Sequence, residues 1–252
     1  MDYRHGMRIR WITGFLDTPF LDTPGVDAEG FWLAVTGSTL SARRDGGTFA
    51  TLLPADGDAY LRVQVVADGP PRAHLDLHVD DVPAAAGEAG SLGASVVHEA
   101  GDLVVLRSPA GIVFCVVPWR GESVPPGAVR WPGGSASVVD QLSLDIPAAG
   151  YDAEVGFWAG LTGWRLGDSD LPEFRFLSGG PGQPLRLLLQ RLGAGAPGVH
   201  LDLACDGFEA EVERHAGLGA SVVRRVPGDW TTLRDPAGRD YCVTRRAPRM
   251  RG

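Results

Sequence analysis

The chain has 252 residues, 44% of them hydrophobic and 21% charged, and a formal net charge of −8. That balance fits a folded globular protein rather than a disordered one, and no apolar run approaches the ~20 residues that a membrane-spanning helix requires. The acidic surplus, the complete absence of lysine and the lack of a basic stripe interleaved with aromatics exclude a nucleic-acid role, because phosphate neutralisation supplies most non-specific affinity. The opening MDYRHGMRIRW has no apolar core of the signal-peptide kind, which points to the cytoplasm. The basic ending RRAPRMRG is short and reads as a frayed tail. The cysteines are Cys115, Cys205 and Cys242. An odd count without C-x-x-C spacing argues against a disulfide framework or a zinc knuckle, and reduced thiols are expected. A chain without Lys or Asn and rich in Ala, Gly and Arg has the composition of a GC-rich bacterial genome.

In chain order, the pattern predicts a strand over RIRWITGFLD, a short helix over AEGFWLAVTG and further strands ending at YLRVQVV. A strand RAHLDLHV follows, then a helix DVPAAAGEAGSLG and three strands, ASVVHE, DLVVLRS and IVFCVVP. Pro and Gly dominate the next stretch, PWRGESVPPGAVRWPGG, which reads as a linker. The succession then starts again at DQLSLDIP. Asp206 with Glu209 three residues on forms a capping-box pattern for the last helix, and Phe208 and Val212 share a helix face. Gly93 and Gly219 stand where left-handed C-terminal caps are wanted, and SPAG and DPAG are turn sequences joining the last two strands of each half.

The second half repeats the first. HLDL, LGASVV, LR, PAG and Cys recur in order, with His74 and His200 126 positions apart and Cys115 and Cys242 127 apart. FLDTP parallels SLDIP, and FWLAVTG parallels FWAGLTG. Gln64 precedes His74 by ten residues, as Gln190 precedes His200. Internal repeats of this length indicate duplication. The expected organisation is a domain over residues 8–118, a linker over 119–134 and a second domain over 135–246. Each domain holds two modules of strand, helix and about three strands, which makes the fold class α+β.

Strand alternation sorts these residues onto two faces. Leu75, Leu77 and Val79 oppose His74, Asp76 and His78; Leu201, Leu203 and Cys205 oppose His200, Asp202 and Ala204. Gln141, Ser143 and Asp145 share a face, as do Arg186, Leu188 and Gln190. The apolar sets are expected beneath the helices, and the mixed sets on the other side, lining a cleft if two modules pair by those sides. Trp32 and Trp158 are expected in the core.

FW-x3-TG after the first strand, HLDL, LGA before the next strand and LRDPAG-x3-Cys resemble motifs of the vicinal-oxygen-chelate (VOC) superfamily, the glyoxalase and bleomycin-resistance proteins. The resemblance covers nearly the whole chain. It implies tandem VOC domains, each of two paired βαβββ modules forming a rolled mixed sheet around a cleft. Members include metal-dependent isomerases, dioxygenases, epimerases and thiol transferases, and others that sequester a drug. The metal ligands of such proteins map to Thr13, Gln64, His74 and Cys115 in the first copy. In the second they map to Gln141, Gln190, His200 and Cys242. Cys stands where the family places Glu, and Thr13 is not a ligand type. Amides and a thiol around a single imidazole make a weak set, and neither copy has a carboxylate base at the matching position. Asp76 and Asp202 lie on the same face as the histidines and can serve as supporting partners or bases.

The resulting expectation is a protein that binds a small organic molecule without a tightly held metal. Its ligand-binding residues are Gln64, His74, Asp76, Cys115, Gln141, Gln190, His200, Asp202 and Cys242. A metal-dependent VOC isomerase, lyase or dioxygenase is one alternative, with a divalent ion on Gln141, Gln190 and His200. A degenerate pseudoenzyme is another. The expected partners are a small-molecule ligand and neither nucleic acid nor membrane, in a monomer with internal duplication or a homodimer.

Overall fold

The computed structural model describes residues 8–19 and 27–250. The start of the chain through Met7, read above for a targeting signal, and the last two residues of the basic tail lie outside the described residues.

The first repeat begins with β1 (Trp11–Pro19), α1 (Ala28–Thr36), β2 (Thr39–Leu40), β3 (Phe49–Leu53) and β4 (Leu61–Val66). It continues with β5 (Arg72–Val79), α2 (Val82–Ser91), β6 (Ser95–Ala100), β7 (Leu103–Arg107) and β8 (Val113–Pro118). The linker contributes β9 (Val129–Arg130), which pairs antiparallel with the start of β10 (Ala136–Pro147). The second repeat then runs through α3 (Tyr151–Thr162), β11 (Arg165–Asp168), β12 (Phe174–Ser178), β13 (Arg186–Leu192) and β14 (Gly198–Cys205). It ends with α4 (Phe208–Gly217), β15 (Ser221–Val226), β16 (Trp230–Arg234) and β17 (Asp240–Thr244).

Each repeat supplies one mixed sheet. Their strand orders, β2-β3-β4-β1-β5-β8-β7-β6 and β11-β12-β13-β10-β14-β17-β16-β15, are the same order twice. The expected α+β class and the doubled strand-helix-three-strand plan are both present. No helix among the described residues is long and apolar enough to cross a membrane.

Local chemistry explains the element ends. Asp27 caps α1 by accepting the Gly30 N–H at 2.7 Å, and Gly37 stops it at φ +62° with its N–H on the Leu33 carbonyl. The FW-x3-TG motif is therefore a short helix with its own glycine stop, and Gly163 ends α3 in the same way at φ +62°. Asp81 caps α2 on the Ala84 N–H. The capping box expected at Asp206 does not form. Gly207 is the N-cap of α4, without a side-chain bond, while Asp206 Oδ1 accepts the Ala136 N–H at 2.6 Å. A tertiary donor on β10 has claimed the carboxylate that the local pattern assigned to the helix.

By contact the chain divides into two compact units. One takes residues 8–13, His74–Val124 and Leu142–Val199; the other takes Gly14–Ala73, Pro125–Gln141 and residues 200–250. Each unit thus joins one module of either repeat. In the first, Phe157 and Trp158 of α3 pack on Phe114 of β8, with ring centroids 6.0 and 5.0 Å away. In the second, Phe31 and Trp32 of α1 pack on Tyr241 of β17 at 6.0 and 5.0 Å. Trp32 and Trp158 are buried in these cores. Each FW pair therefore sits on the aromatic residue that precedes the repeated cysteine of the other copy.

Candidate functional site

On β5 the buried Leu75, Leu77 and Val79 alternate with His74, Asp76 and His78. β8 lies parallel beside β5 and sets Cys115 opposite Asp76. Alternation along one strand and register with the next bring three unlike donors together. One ligating atom each from His74, Asp76 and Cys115 lies within 4.8 Å of the other two. His74 Nε2 stands 3.6 Å from Asp76 Oδ1.

The second repeat builds the same cluster in the other unit. Cys242 of β17 is opposite Asp202 of β14, and His200 Nε2 is 3.4 Å from Asp202 Oδ1. His200, Asp202 and Cys242 meet the same 4.8 Å limit. In both clusters the imidazole is the accessible member, with 13% and 15% of its side chain exposed, while the Asp and Cys are buried. Burial pushes the Cys242 thiol upward and the Asp202 carboxylate adds to it; hydrogen bonding to His200 and Thr232 pulls the other way and does not prevail.

The surroundings of the two clusters differ. In the second, Gln141 of β10 donates its amide N–H to Asp202 Oδ2. Thr13, at the matching position of the first repeat, instead hydrogen-bonds His78, with Oγ1 2.8 Å from Nε2. His78 Nδ1 faces Glu122 Oε1 at 3.7 Å. The second repeat has Ala204 in place of His78. Sequence reasoning did not single out the Thr13–His78 contact, although alternation along HLDLHV already put His78 on the face of His74.

Gln64 and Gln190 are equivalent to one another. Gln64 on β4 is opposite Phe49 of β3, and Gln190 on β13 is opposite Phe174 of β12. Each belongs to the compact unit other than that of the histidine ten residues later. Gln64 thus shares a unit with the His200–Asp202–Cys242 cluster and Gln190 shares one with the His74–Asp76–Cys115 cluster.

The donor chemistry fits a divalent metal ion. One imidazole nitrogen, one carboxylate oxygen and one sulfur make a mixed set of the kind that holds zinc. A thiol that is protonated in the apo protein can release its proton as an ion binds, and thiolate and carboxylate then offset the dication. Each cluster does contain a carboxylate, not in the last strand, where Cys115 and Cys242 stand, but at Asp76 and Asp202, two residues beyond each histidine.

A family model for the glyoxalase-like domain matches the chain twice, over residues 19–117 and 141–244. No curated protein matches it in sequence. Among solved structures it is similar to the Mn(II)-bound glyoxalase from Novosphingobium aromaticivorans, with a TM-score of 0.63 and 18% identity over 95% of this chain and 82% of that one. It is also similar to 2,2',3-trihydroxybiphenyl 1,2-dioxygenase from Sphingomonas wittichii, with a TM-score of 0.61 and 16% identity over 98% and 92% of the two chains. A variant of 4-hydroxymandelate synthase from Streptomyces coelicolor gives a TM-score of 0.60 and 15% identity over 98% and 94%. At these identities the likeness is one of fold.

Proposed function

The chain belongs to the glyoxalase-like domain family, in two tandem copies, and on that premise we propose that it is a metal-binding protein acting on a small oxygen-bearing organic molecule. His74, Asp76 and Cys115 would hold one divalent ion, and His200, Asp202 and Cys242 a second. The observation that carries this reading is the convergence of nitrogen, oxygen and sulfur donors within 4.8 Å, built twice by the same strand pairing. Three protein ligands leave a coordination position open, as in sites that act on a substrate. An ion held there supplies Lewis acidity toward a carbonyl or hydroxyl oxygen. The partly exposed imidazoles put the accessible edge of each cluster where such a molecule would arrive. The glyoxalase similar in fold carries Mn(II), which supports the reading by analogy.

A second reading is the metal-free binding protein. It is favoured by the Gln141–Asp202 hydrogen bond and by a Cys242 thiol that burial keeps protonated, because Asp202 Oδ2 then has its donor and the sulfur carries no charge without a cation. His200 would in that case offer a neutral hydrogen bond to the ligand, of the order of 0.5–1.5 kcal/mol.

Zinc titration of the chelator-treated full chain separates the two. The metal reading requires two ions per chain in wild type and one after His200→Ala. Failure to bind zinc, Mn(II), Fe(II) or Co(II) would leave the metal-free reading standing.

A further inference from the structure

The unit that contains His200 also encloses a cavity of about 240 Å3 that no catalytic or metal-binding role above uses. Its walls come from the end of α1, the segment before Tyr60, the linker around β9, the start of β10, and Leu203 of β14. Leu203 points to the opposite face of its strand from Asp202. The cavity therefore lies on the helix side of the sheet, away from the His200–Asp202–Cys242 cluster.

Three features describe what the cavity can take. Val35, Val129, Val139 and Leu203 give it apolar walls. Of the deeply buried polar side chains on its walls, Ser137, 2% exposed, is already bonded to Trp131 and Glu211, whereas Tyr60 is 5% exposed and its hydroxyl makes no hydrogen bond among the described residues. Burial drives the Tyr60 phenol upward, Arg249 opposes and Asp140 assists, so the group stays neutral and both donates and accepts. The charges near it come in both signs, with Arg130 and Asp56 on the walls and Asp140 ion-paired to Arg246 beside Tyr60, which disfavours a charged guest.

We propose that this cavity is a second ligand site, for a neutral single-ring molecule carrying one hydrogen-bonding oxygen, such as a phenol or cyclic ketone, which Tyr60 engages. Size agrees. An apolar cavity of about 150 Å3 accommodates benzene, and drug-sized sites begin near 300 Å3; a volume of about 240 Å3 lies between. The linker forms one wall and is anchored there, because Val129 pairs with Ser137 and the Ala128 N–H bonds the Arg249 carbonyl at 2.9 Å. A guest would therefore rest against an ordered surface.

The test is a fluorine NMR titration of 4-fluorophenol with the full chain. Saturable binding is expected. Tyr60→Phe removes only the hydroxyl and should weaken binding about two- to tenfold, the value of one neutral hydrogen bond. Ala128→Trp fills the cavity from the linker side and should abolish binding while the far-UV circular dichroism remains that of wild type. His200→Ala should leave it unchanged. The proposal is overturned if 4-fluorophenol shows no saturable binding, or if Tyr60→Phe binds as wild type does, the cavity then holding water alone. Loss of binding in His200→Ala with Tyr60→Phe unaffected would place the probe in the metal cluster and overturn it equally. Because the probe needs no metal, failure here is distinct from failure of the zinc titration.

Discussion

Gln141 donates its side-chain amide to Asp202 Oδ2, while Oδ1 of the same carboxylate stands 3.4 Å from His200 Nε2. One oxygen is fixed by the amide and the other faces the imidazole. Partners of this kind orient a ligating carboxylate, and their loss typically costs 10–100-fold in metal affinity. Gln141→Leu keeps comparable bulk and removes the donor. We expect zinc affinity of the second cluster to fall by about 10–100-fold, with about 1–3 kcal/mol lost in urea unfolding because a buried carboxylate oxygen loses its partner. Unchanged zinc affinity would show that the amide serves packing alone.

In the first cluster the position of Gln141 is held by Thr13, which bonds His78. Asp76→Asn replaces the carboxylate with a near-isosteric neutral group and removes one negative charge from the donor set. The variant should bind one zinc ion per chain rather than two, and the remaining ion should stay sensitive to Gln141→Leu. Titration of single and double variants checks this. Two ions retained by Asp76→Asn would exclude that carboxylate as a ligand.

Much of this was legible in the sequence. Alternation along HLDL placed His and Asp together, and the repeat placed a cysteine in each copy. FW-x3-TG carried both helix and stop, because Gly37 and Gly163 must adopt positive φ. What was not legible depended on partners distant in the chain. Asp206 has every local mark of a helix cap, yet its carboxylate goes to the Ala136 N–H. The stacking of Trp32 on Tyr241 and of Trp158 on Phe114 joins modules of different repeats, and no local pattern specifies which aromatic meets which. Alternation marks Asp76 and Asp202 as ligand-binding residues, supporting partners or bases; that they stand opposite the cysteines, as the proposed metal sites require, depends on strand register, which is a tertiary fact.

Acid should destabilise the second unit through α4. Glu211 is fully buried, accepting from Ser137 Oγ at 2.5 Å and Arg214 Nη2 at 2.7 Å, with His215 Nε2 at 3.1 Å. Burial alone would raise its pKa, but bonds from His215, Arg214 and Ser137 outweigh this and hold it well below the usual carboxylate range, at about 2. A folded-state value below the unfolded one stabilises the protein above pH ~4.5, and that contribution drains away as pH falls toward ~2; a shift of this size is worth about 3 kcal/mol. His215 acts in the same sense at higher pH. Burial lowers it from 6.5, so its contribution is lost as pH drops below ~6.5, where the unfolded imidazole takes up a proton more readily than the folded one. Urea midpoints measured from pH 8 to pH 3 should fall continuously. In Glu211→Gln the stability should be lower at pH 7, and the additional fall below pH 4.5 should be smaller. An equal fall in the variant would assign the acid sensitivity elsewhere.

The two DPAG-type turns solve one problem with different acids. In the second repeat Asp235 Oδ2 accepts from Trp32 Nε1 at 2.9 Å and from Arg239 Nη1 at 2.7 Å, and Oδ1 accepts the Arg239 N–H at 2.9 Å. Arg239 is 3% exposed and continues to the Asp17 carbonyl at 2.9 Å and the Arg72 carbonyl at 3.0 Å. In the first repeat the turn residue is Ser108, which only accepts the Ile112 N–H at 3.0 Å. Glu154 of α3 takes over the indole there, accepting from Trp158 Nε1 at 2.8 Å and from the Ala110 N–H at 2.7 Å. The serine turn therefore holds no buried cation, whereas the aspartate turn does. Removing Asp235 leaves a guanidinium buried without its carboxylate, a loss of about 3–5 kcal/mol. Removing the Ser108 hydroxyl costs one neutral bond and leaves a backbone donor unsatisfied, about 1–3 kcal/mol. Asp235→Ala should thus lower the urea midpoint clearly more than Ser108→Ala, with m unchanged in both, since a constant slope reports stability alone. Equal midpoints would mean that Arg239 finds sufficient compensation in the carbonyls of Asp17 and Arg72.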